Sequence, residues 1–595
     1  MLTDRQRVSK SANQRVSETH RFTVVIAVAL AASCSLLLAS PLIYAQSVPD
    51  PRFGAVEAFR DPQAASDLNL GWERMLFYWS ELKRNGPDDA WNIYHVPDGW
   101  LDDARKHGRE VIGVIESTPP WATDGHAGGG VPRGLYLPID DANNLWAGFV
   151  RELVSRYAGI VNHWVIWNEP DIEPPDDGVQ FDGSVADYYQ LVKVAYLVAK
   201  QANPNAVIHL AGLTYHHDVV HKRVPYLQRF LDEAKQDPTA PANHFYFDVA
   251  TLHIYFNVDS VYDITQTFFG ILRRNGLSKP IWINETNAAP SNDPQNPWTA
   301  PLFITDLDQQ ANFIVQAFAI GLAAGAERVA VYKLSDSPPY PPGFPAFGLV
   351  RADGSRRPAY DALKLVTTYF RTTRTARIMR TKPTEIVTLD RGGQTTYIAW
   401  ARTNVTATVA LPASAPQALL VGLDGITHTL TAVNGRYALT LPAAKCNDPN
   451  YGCTIGGTPL IVVEEAAAHT APAIVQTEPI VTATATSCVD CTATPTNTPR
   501  PTRTASRTPT ATSSVTPPPS PTVSITPSAS PTLRPTNTAT SIPTATPSPL
   551  PTFIPTSTPS NDAPMEGSGL LIVGLIIEFV VVVGMLWLAF SRKKR

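Results

Sequence analysis

Two glutamates carry the chemistry this sequence can do. Glu169 follows Asn168 in Trp167-Asn168-Glu169-Pro170, and Glu285 follows Asn284 in Ile283-Asn284-Glu285. Each closes a short apolar, largely β-branched run, so each sits where a buried strand ends in a polar tip. Two carboxyls that can converge are what cleavage of a glycosidic bond needs. One protonates the leaving oxygen while the other attacks the anomeric carbon or activates a water. Strand-end carboxylates also serve as metal ligands and salt-bridge partners, so the pair by itself leaves those roles open.

The elements that must position the pair recur along residues 50–370. Strands are predicted over Phe53–Glu57, Trp72–Tyr78, Val111–Ser117, Val161–Trp167, Val207–Leu213, Val249–Ile254, Ile281–Asn284 and Val329–Leu334. Helical patterns lie between them, such as Asp141–Tyr157, Val185–Gln201, Val261–Arg274 and Gln309–Ala324. Eight such units fit a (β/α)8 barrel, whose working residues stand at the C-terminal ends of the strands. A doubly wound open sheet would need a Gly-rich phosphate turn opening a helix, and Gly128-Gly129-Gly130 follows no strand directly. In a barrel the fourth and seventh strands face each other across the mouth, which lets Glu169 and Glu285 meet.

Other polar residues fall at the same level: Arg74 in the second strand, His253 and Tyr255 at the end of the sixth, Tyr332 and Lys333 at the end of the eighth. Arg74 is an ion-pair candidate for Glu285, and His253 is either a site residue or a satisfied core histidine. Trp79, Trp121, Trp298 and Tyr332 could stack on sugar faces. Trp79 and Trp121 suit rim packing equally, whereas Trp298 lies in a Pro/Asn-rich loop that core packing does not explain. His217 and His221 have helical i, i+4 spacing, but no acidic third ligand stands out, so no metal and no cofactor is expected.

Taken together, Trp167-Asn168-Glu169-Pro170, Asn284-Glu285 and His253-Ile254-Tyr255 resemble glycoside hydrolase clan A, family 39-type enzymes first and family 5 next. Arg74, Ser117-Thr118-Pro119-Pro120-Trp121-Ala122, and the stretch from Phe347-Gly348-Leu349 to Arg357-Pro358-Ala359-Tyr360 add to the likeness, which covers about residues 50–465. The resemblance implies a retaining mechanism with Glu169 as acid/base and Glu285 as nucleophile. It implies further that Asn168 binds the sugar 2-hydroxyl, that Arg74 and Tyr255 hold Glu285, and that His253 lines the same wall. An acid/base carboxyl in that role is expected to have a raised pKa, set by burial and by its partner's charge. Tyr332-Lys333 departs from the clan, where an aromatic, often Trp, closes the floor of the sugar subsite.

The remaining chain concerns presentation. Residues 1–45 pair a basic start (Arg5, Arg7, Lys10, Arg15, Arg21) with an apolar run, an export signal or an N-terminal membrane anchor. Residues 371–466 read as a small all-β sandwich, with hairpin signals at Asp390-Arg391-Gly392-Gly393 and Asn434-Gly435, expected to pack on the barrel. Residues 467–568, rich in Thr, Pro and Ser, form a predicted disordered stalk. Residues 569–590 form a predicted transmembrane helix, and the basic tail 591–595 places the C-terminus in the cytoplasm. The barrel and sandwich would then lie outside the cell membrane. A local Cys446–Cys453 disulfide agrees with export, and Cys488 and Cys491 sit in the stalk. A formal charge of −4 with 17% charged residues gives no case for a nucleic-acid partner. The partner implied is an extracellular poly- or oligosaccharide. A non-catalytic glycan-binding or adhesive protein, or a transglycosylase, is the alternative, and the presence of both carboxylates favours catalysis.

Overall fold

The alternation of strand and helix closes on itself. The computed structural model describes residues 48–465, apart from residue 177, residues 299, 300 and 302, residues 338–344 and residues 450–451, together with 482–483. Eight parallel strands form a closed barrel in chain order: β1 (Asp50–Val56), β2 (Leu70–Tyr78), β3 (Glu110–Glu116), β4 (His163–Ile166), β5 (Val207–Leu213), β6 (Val249–Tyr255), β7 (Ile281–Asn287) and β8 (Arg328–Val331). The main outer helices are α1 (Asp98–Lys106), α2 (Leu145–Arg156), α3 (Val185–Ala202), α4 (Tyr226–Gln236), α5 (Val258–Arg274), α6 (Leu307–Ala323) and α7 (Pro358–Tyr369).

Local chemistry starts these helices where side chains can cap them. Asn144 accepts from the Ala147 amide at the start of α2, and Asn257 does the same for α5 through Asp259. Ser184 with Asp187, and Asp306 with Gln309, form reciprocal capping boxes on α3 and α6. The barrel interior is filled rather than hollow. Trp72, Ile112, Val114, Val165, Val249, Trp282 and Ala330 form one buried cluster, with the Trp72 and Trp282 rings 5.5 Å apart. Gly54 makes room for it, because a Cβ there would lie 2.4 Å from the Trp72 ring. At the N-terminal end, Glu110 bridges His163 (3.1 Å) and Arg328, and His163 meets His209 at 2.8 Å.

Several strand ends differ from the sequence expectation. β4 stops at Ile166 rather than Trp167, β8 at Val331 rather than Leu334, and β1 at Val56 rather than Glu57. Trp167 and Glu57 adopt positive φ (75° and 57°), which takes the backbone out of the sheet at those points. Apolarity continued past the turn, and composition does not register a left-handed residue.

Beyond α7, residues 375–465 form antiparallel sheets that fit a sandwich. Six strands pair in the order β14-β13-β16-β11-β10-β9: β9 (Thr375–Arg380), β10 (Thr384–Asp390), β11 (Gln394–Ala401), β13 (Gln417–Val421), β14 (Thr427–Thr431) and β16 (Leu460–Glu465). The second sheet pairs β15 (Arg436–Leu441), β12 (Ala407–Pro412) and β17 (Thr482–Ala483), so two residues of the expected stalk add a strand edge. Cys446 and Cys453 are disulfide-bonded. Among the described residues no helix is long and apolar enough to cross a membrane. The expected export segment, the other stalk residues, the span at 569–590 and the basic tail lie outside the described residues.

The sandwich docks on α6, whose residues from Gln309 to Leu322 are buried on every face. Val387, Ile398, Trp400 and Ile461 share one apolar core with the barrel helices. Buried polar groups are paired across the contact: Gln316 donates to the Gly457 carbonyl (2.8 Å) and accepts from the Gly456 amide (3.0 Å). Gln316→Ala would strand two buried backbone groups and should cost roughly 2 kcal/mol or more. Urea unfolding checks this as a lower midpoint at unchanged slope.

Candidate active site

The strand ends bring Arg74, Asn168, Glu169, His253, Tyr255 and Glu285 into one cluster. Backbone irregularity does part of the aiming. The β6–β7 register shifts between Leu252, opposite Ile283, and His253, opposite Glu285, which leaves Asn284 as the extra residue of a bulge. His253 thereby comes alongside Glu285. Gly212 on β5 provides the space it needs, since a Cβ there would fall 2.0 Å from His253 Nε2. Ser117, Trp167 and Phe256, each immediately after a strand, take positive φ, as does Glu169 itself (44°). Such conformations cost of order 1–3 kcal/mol each for non-glycine residues and persist where surrounding contacts impose them. The Glu169 amide is tied to the Gly212 carbonyl at 3.2 Å.

Arg74 is buried and forms an ion pair with Glu285 Oε1. Its other terminal nitrogen lies 3.4 Å from Asn168 Oδ1 and 3.4 Å from His253 Nε2. Tyr255 donates its hydroxyl to Glu285 Oε2. His253 Nδ1 stands between the carboxyls, 2.6 Å from Glu169 Oε1 and 3.5 Å from Glu285 Oε2. One ligand atom each of Glu169, His253 and Glu285 lies within 4.8 Å of the others. That spacing alone would suit a metal ion, but the Arg74 guanidinium already provides the cation for Glu285.

Electrostatics divide these groups. Burial pushes the Tyr255 hydroxyl well above its ordinary pKa, and the Glu285 charge adds to this, so it remains a donor. Burial also acts to raise Glu169, but the hydrogen bond and charge of His253 outweigh it, followed by Arg74 and His217. The Glu169 carboxyl is therefore held below its usual value. That reverses the sequence expectation of a raised acid. The expectation counted burial and the facing carboxylate but not an imidazole in direct contact.

Three contributors were not legible beforehand. Gln180, in the loop after β4, accepts from Asn168 (3.1 Å) and donates to Glu169 Oε2 (3.2 Å), while its carbonyl accepts from the Trp167 indole (2.9 Å). Asp171 is buried and accepts from the backbone amides of Thr214 (2.8 Å) and Tyr215 (2.9 Å), fastening the Asn168–Glu169 loop to the end of β5. Glu116, the last residue of β3, is a further buried carboxyl. Burial raises it to about 7, opposed by Arg74 and reinforced by Glu285 and Glu169. A charged residue closing the apolar run Val111-Ile112-Gly113-Val114-Ile115 was the available signal.

The aromatic candidates separate into two places. Tyr332 and Tyr255 meet edge-on at 6.1 Å, and both pack on Phe347 (5.5 and 5.4 Å). Phe256 continues this wall to Phe347 (5.9 Å), Phe303 (4.7 Å, stacked) and Trp298 (6.2 Å). Trp298 thus joins the wall that carries Tyr255. Trp121 lies elsewhere, edge-on to buried Trp79 at 5.6 Å, with its indole donating to the Lys83 carbonyl at 2.8 Å. Lys333 points to Glu57, at 3.1 Å.

No family model matches the sequence, and comparison with curated proteins yields no relative. Among solved structures, the chain is similar to a family 39 glycoside hydrolase from the gut symbiont Bacteroides cellulosilyticus WH2. The TM-score is 0.53 at 16% identity, over 70% of this chain and 81% of that one. A monomeric β-xylosidase from Caulobacter crescentus CB15 matches with a TM-score of 0.46 at 14% identity, over 71% and 97% of the two chains. At these identities the first likeness shows a shared fold.

Two substitutions test the arrangement. Gly212→Ala should overpack His253 and destabilise the protein by about 1–3 kcal/mol, read by chemical denaturation. Glu116 has a folded pKa of about 7 against 4.5 for the free side chain, so between those values only the folded state holds the proton. Stability should fall as pH rises through that window and stay low above it. Glu116→Gln removes this penalty. It should stabilise the protein by up to roughly 3 kcal/mol near pH 8 and by little near pH 4, as thermal melts at the two pH values will report.

Proposed function

We propose that the chain is a retaining glycoside hydrolase that cleaves O-glycosidic bonds of an extracellular poly- or oligosaccharide by double displacement. One observation carries this: Glu169 and Glu285 face each other with one oxygen of each within 4.8 Å, and Glu285 alone is gripped by Arg74 and Tyr255. Carboxyls about 5–5.5 Å apart leave no room for a water between sugar and base, as inversion would require. Glu285, held from behind, attacks the anomeric carbon. Glu169, more exposed than Glu285 (17% against 6%), delivers a proton to the leaving oxygen at the open side. A water then breaks the glycosyl ester on Glu285 as Glu169 takes its proton.

The low resting pKa of Glu169 is compatible with this sequence of steps. Esterification removes the charge of Glu285. Loss of that neighbouring negative charge keeps Glu169 low in the second step, where it acts as the base. Asn168, held by Gln180 and Arg74, would bind the 2-hydroxyl. Trp298, Tyr332 and Tyr255 offer ring faces along one side of the sugar path. The Cys446–Cys453 disulfide supports an oxidising compartment outside the membrane, with residues 1–45 and 569–590 as the export and anchoring segments.

On a panel of polysaccharides and aryl glycosides, Glu285→Gln should abolish turnover while the protein still folds, at a lower melting temperature because the buried Arg74 charge loses its partner. Glu169→Ala should slow substrates with poor leaving groups by at least about 100-fold, and activated aryl glycosides far less. NMR of the first product should show the starting anomeric configuration. An inverted first product, or equal losses on both leaving groups, defeats the assignment.

A further inference from the structure

His217 and His221 sit one turn apart at the barrel mouth, and the fold brings them the acid that their spacing lacked. Asp176, from the loop after β4, places Oδ2 at 3.0 Å from His217 Nδ1 and Oδ1 at 2.6 Å from His221 Nε2. The three ligand atoms lie within 4.8 Å of one another. Asp176 and His217 are half-buried and His221 is exposed, so ions reach the cluster from solvent.

The surroundings hold these residues in place. His217 and His221 are joined by a backbone hydrogen bond of 3.0 Å at the short helix His216–Val220. Arg223 lies 3.7 Å from Asp176, but it is also paired with Glu173 (3.0 Å) and Asp218 (3.3 Å), so its charge is shared among three carboxylates. The two Asp176 oxygens are therefore directed mainly at the two imidazoles. Simple ion pairing needs one imidazole per carboxylate. Here two imidazoles converge on both oxygens of one carboxylate.

We propose that Asp176, His217 and His221 form a divalent metal site for zinc or a neighbouring late first-row ion, which staples the β4 and β5 loops at the barrel mouth. Two imidazoles and one carboxylate leave a fourth position for water, the donor set such ions accept. The site is separate from the Glu169–Glu285 pair, and the inference does not depend on glycosidase activity. Its consequence would be mechanical. The β4 loop carries Asn168, Glu169 and Gln180, and Asp176 sits on that loop, so an ion would restrain it against the β5 loop.

Cobalt(II) titration of the untagged, chelator-treated full-length protein tests this by visible d–d absorption. One saturable equivalent is expected, displaced by zinc and accompanied by a higher melting temperature. His217→Ala/His221→Ala should weaken cobalt binding by at least about 100-fold, since changes merely outside a ligand shell cost 10–100-fold. Asp176→Asn, a milder change, should weaken it in the same sense. Glu285→Gln should leave it unaltered. Absence of a saturable cobalt spectrum, binding retained in the double variant, or binding that follows Glu285 would each overturn the proposal.

Discussion

The ion pair between Arg74 and Glu285 is the constraint on which the mouth of this barrel depends. Both groups are almost fully removed from water, and desolvating two charges costs several kcal/mol per ion before anything is gained. Such a pair persists only where its remaining donors and acceptors are met. Here Tyr255 takes the second oxygen of Glu285, while Asn168 and His253 lie beside the other guanidinium nitrogen. The partners come from β2, β6, β7 and the turn just after β4, so the pair is satisfied only when these elements are all in register. A one-residue slip in any of them would turn the side chain away. The bulge at Asn284 is part of that register: without it His253 would not face Glu285.

The opposite end of the barrel meets the costs that the mouth incurs. Positive φ at Glu57, Ser117, Trp167, Glu169 and Phe256, together with buried carboxyls such as Glu116, Asp171 and Glu285, makes the C-terminal face locally unfavourable. The interior tryptophan cluster and the Glu110–His163–Arg328 group at the N-terminal face have no such burden. Burial tends to raise Glu110, yet His163 and Arg328 bring it down to about 2, which marks a well-paired carboxylate. Packing of α6 between barrel and sandwich adds a second apolar interface behind β7 and β8. Rigidity is therefore concentrated where no ligand needs to enter.

The barrel and its six clustered polar residues were legible because each falls within an apolar strand or just past its C-terminal end. Arg74, Glu169, His253 and Glu285 are side chains that a buried run does not tolerate without a reason. Gln180 and Asp176 gave no such signal, for they belong to an irregular loop with no strand pattern for a polar residue to interrupt. Glu116 did interrupt an apolar run, but the Ser-Thr-Pro-Pro-Trp that follows drew attention to Trp121 instead. The Pro/Asn-rich loop around Trp298 had already set it apart from Trp121, for which rim packing was an equal reading. The third dimension puts one ring on Trp79 and the other on the Tyr255 wall. Strand ends were misplaced for a related reason, because left-handed backbone at Trp167 and Glu57 is imposed by tertiary contacts rather than by residue type.

Charge balance at the mouth bears on how a ligand could enter. Glu116, Glu169 and Glu285 converge with Arg74 as the one permanent cation among them, and His253 is shared between two of the carboxyls. Burial keeps Glu116 protonated through most of the acidic range, so the cluster avoids three negative charges at close quarters. A neutral, hydroxyl-rich molecule suits such a place better than an anion. It brings donors for the Glu116 carboxyl and acceptors for Asn168 without adding to the negative charge. An anionic sugar would have to compete with Glu285 for Arg74, and Arg74 cannot leave without stranding a buried carboxylate. The same pair that fixes the geometry of the site thus selects against negative charge in whatever fills it.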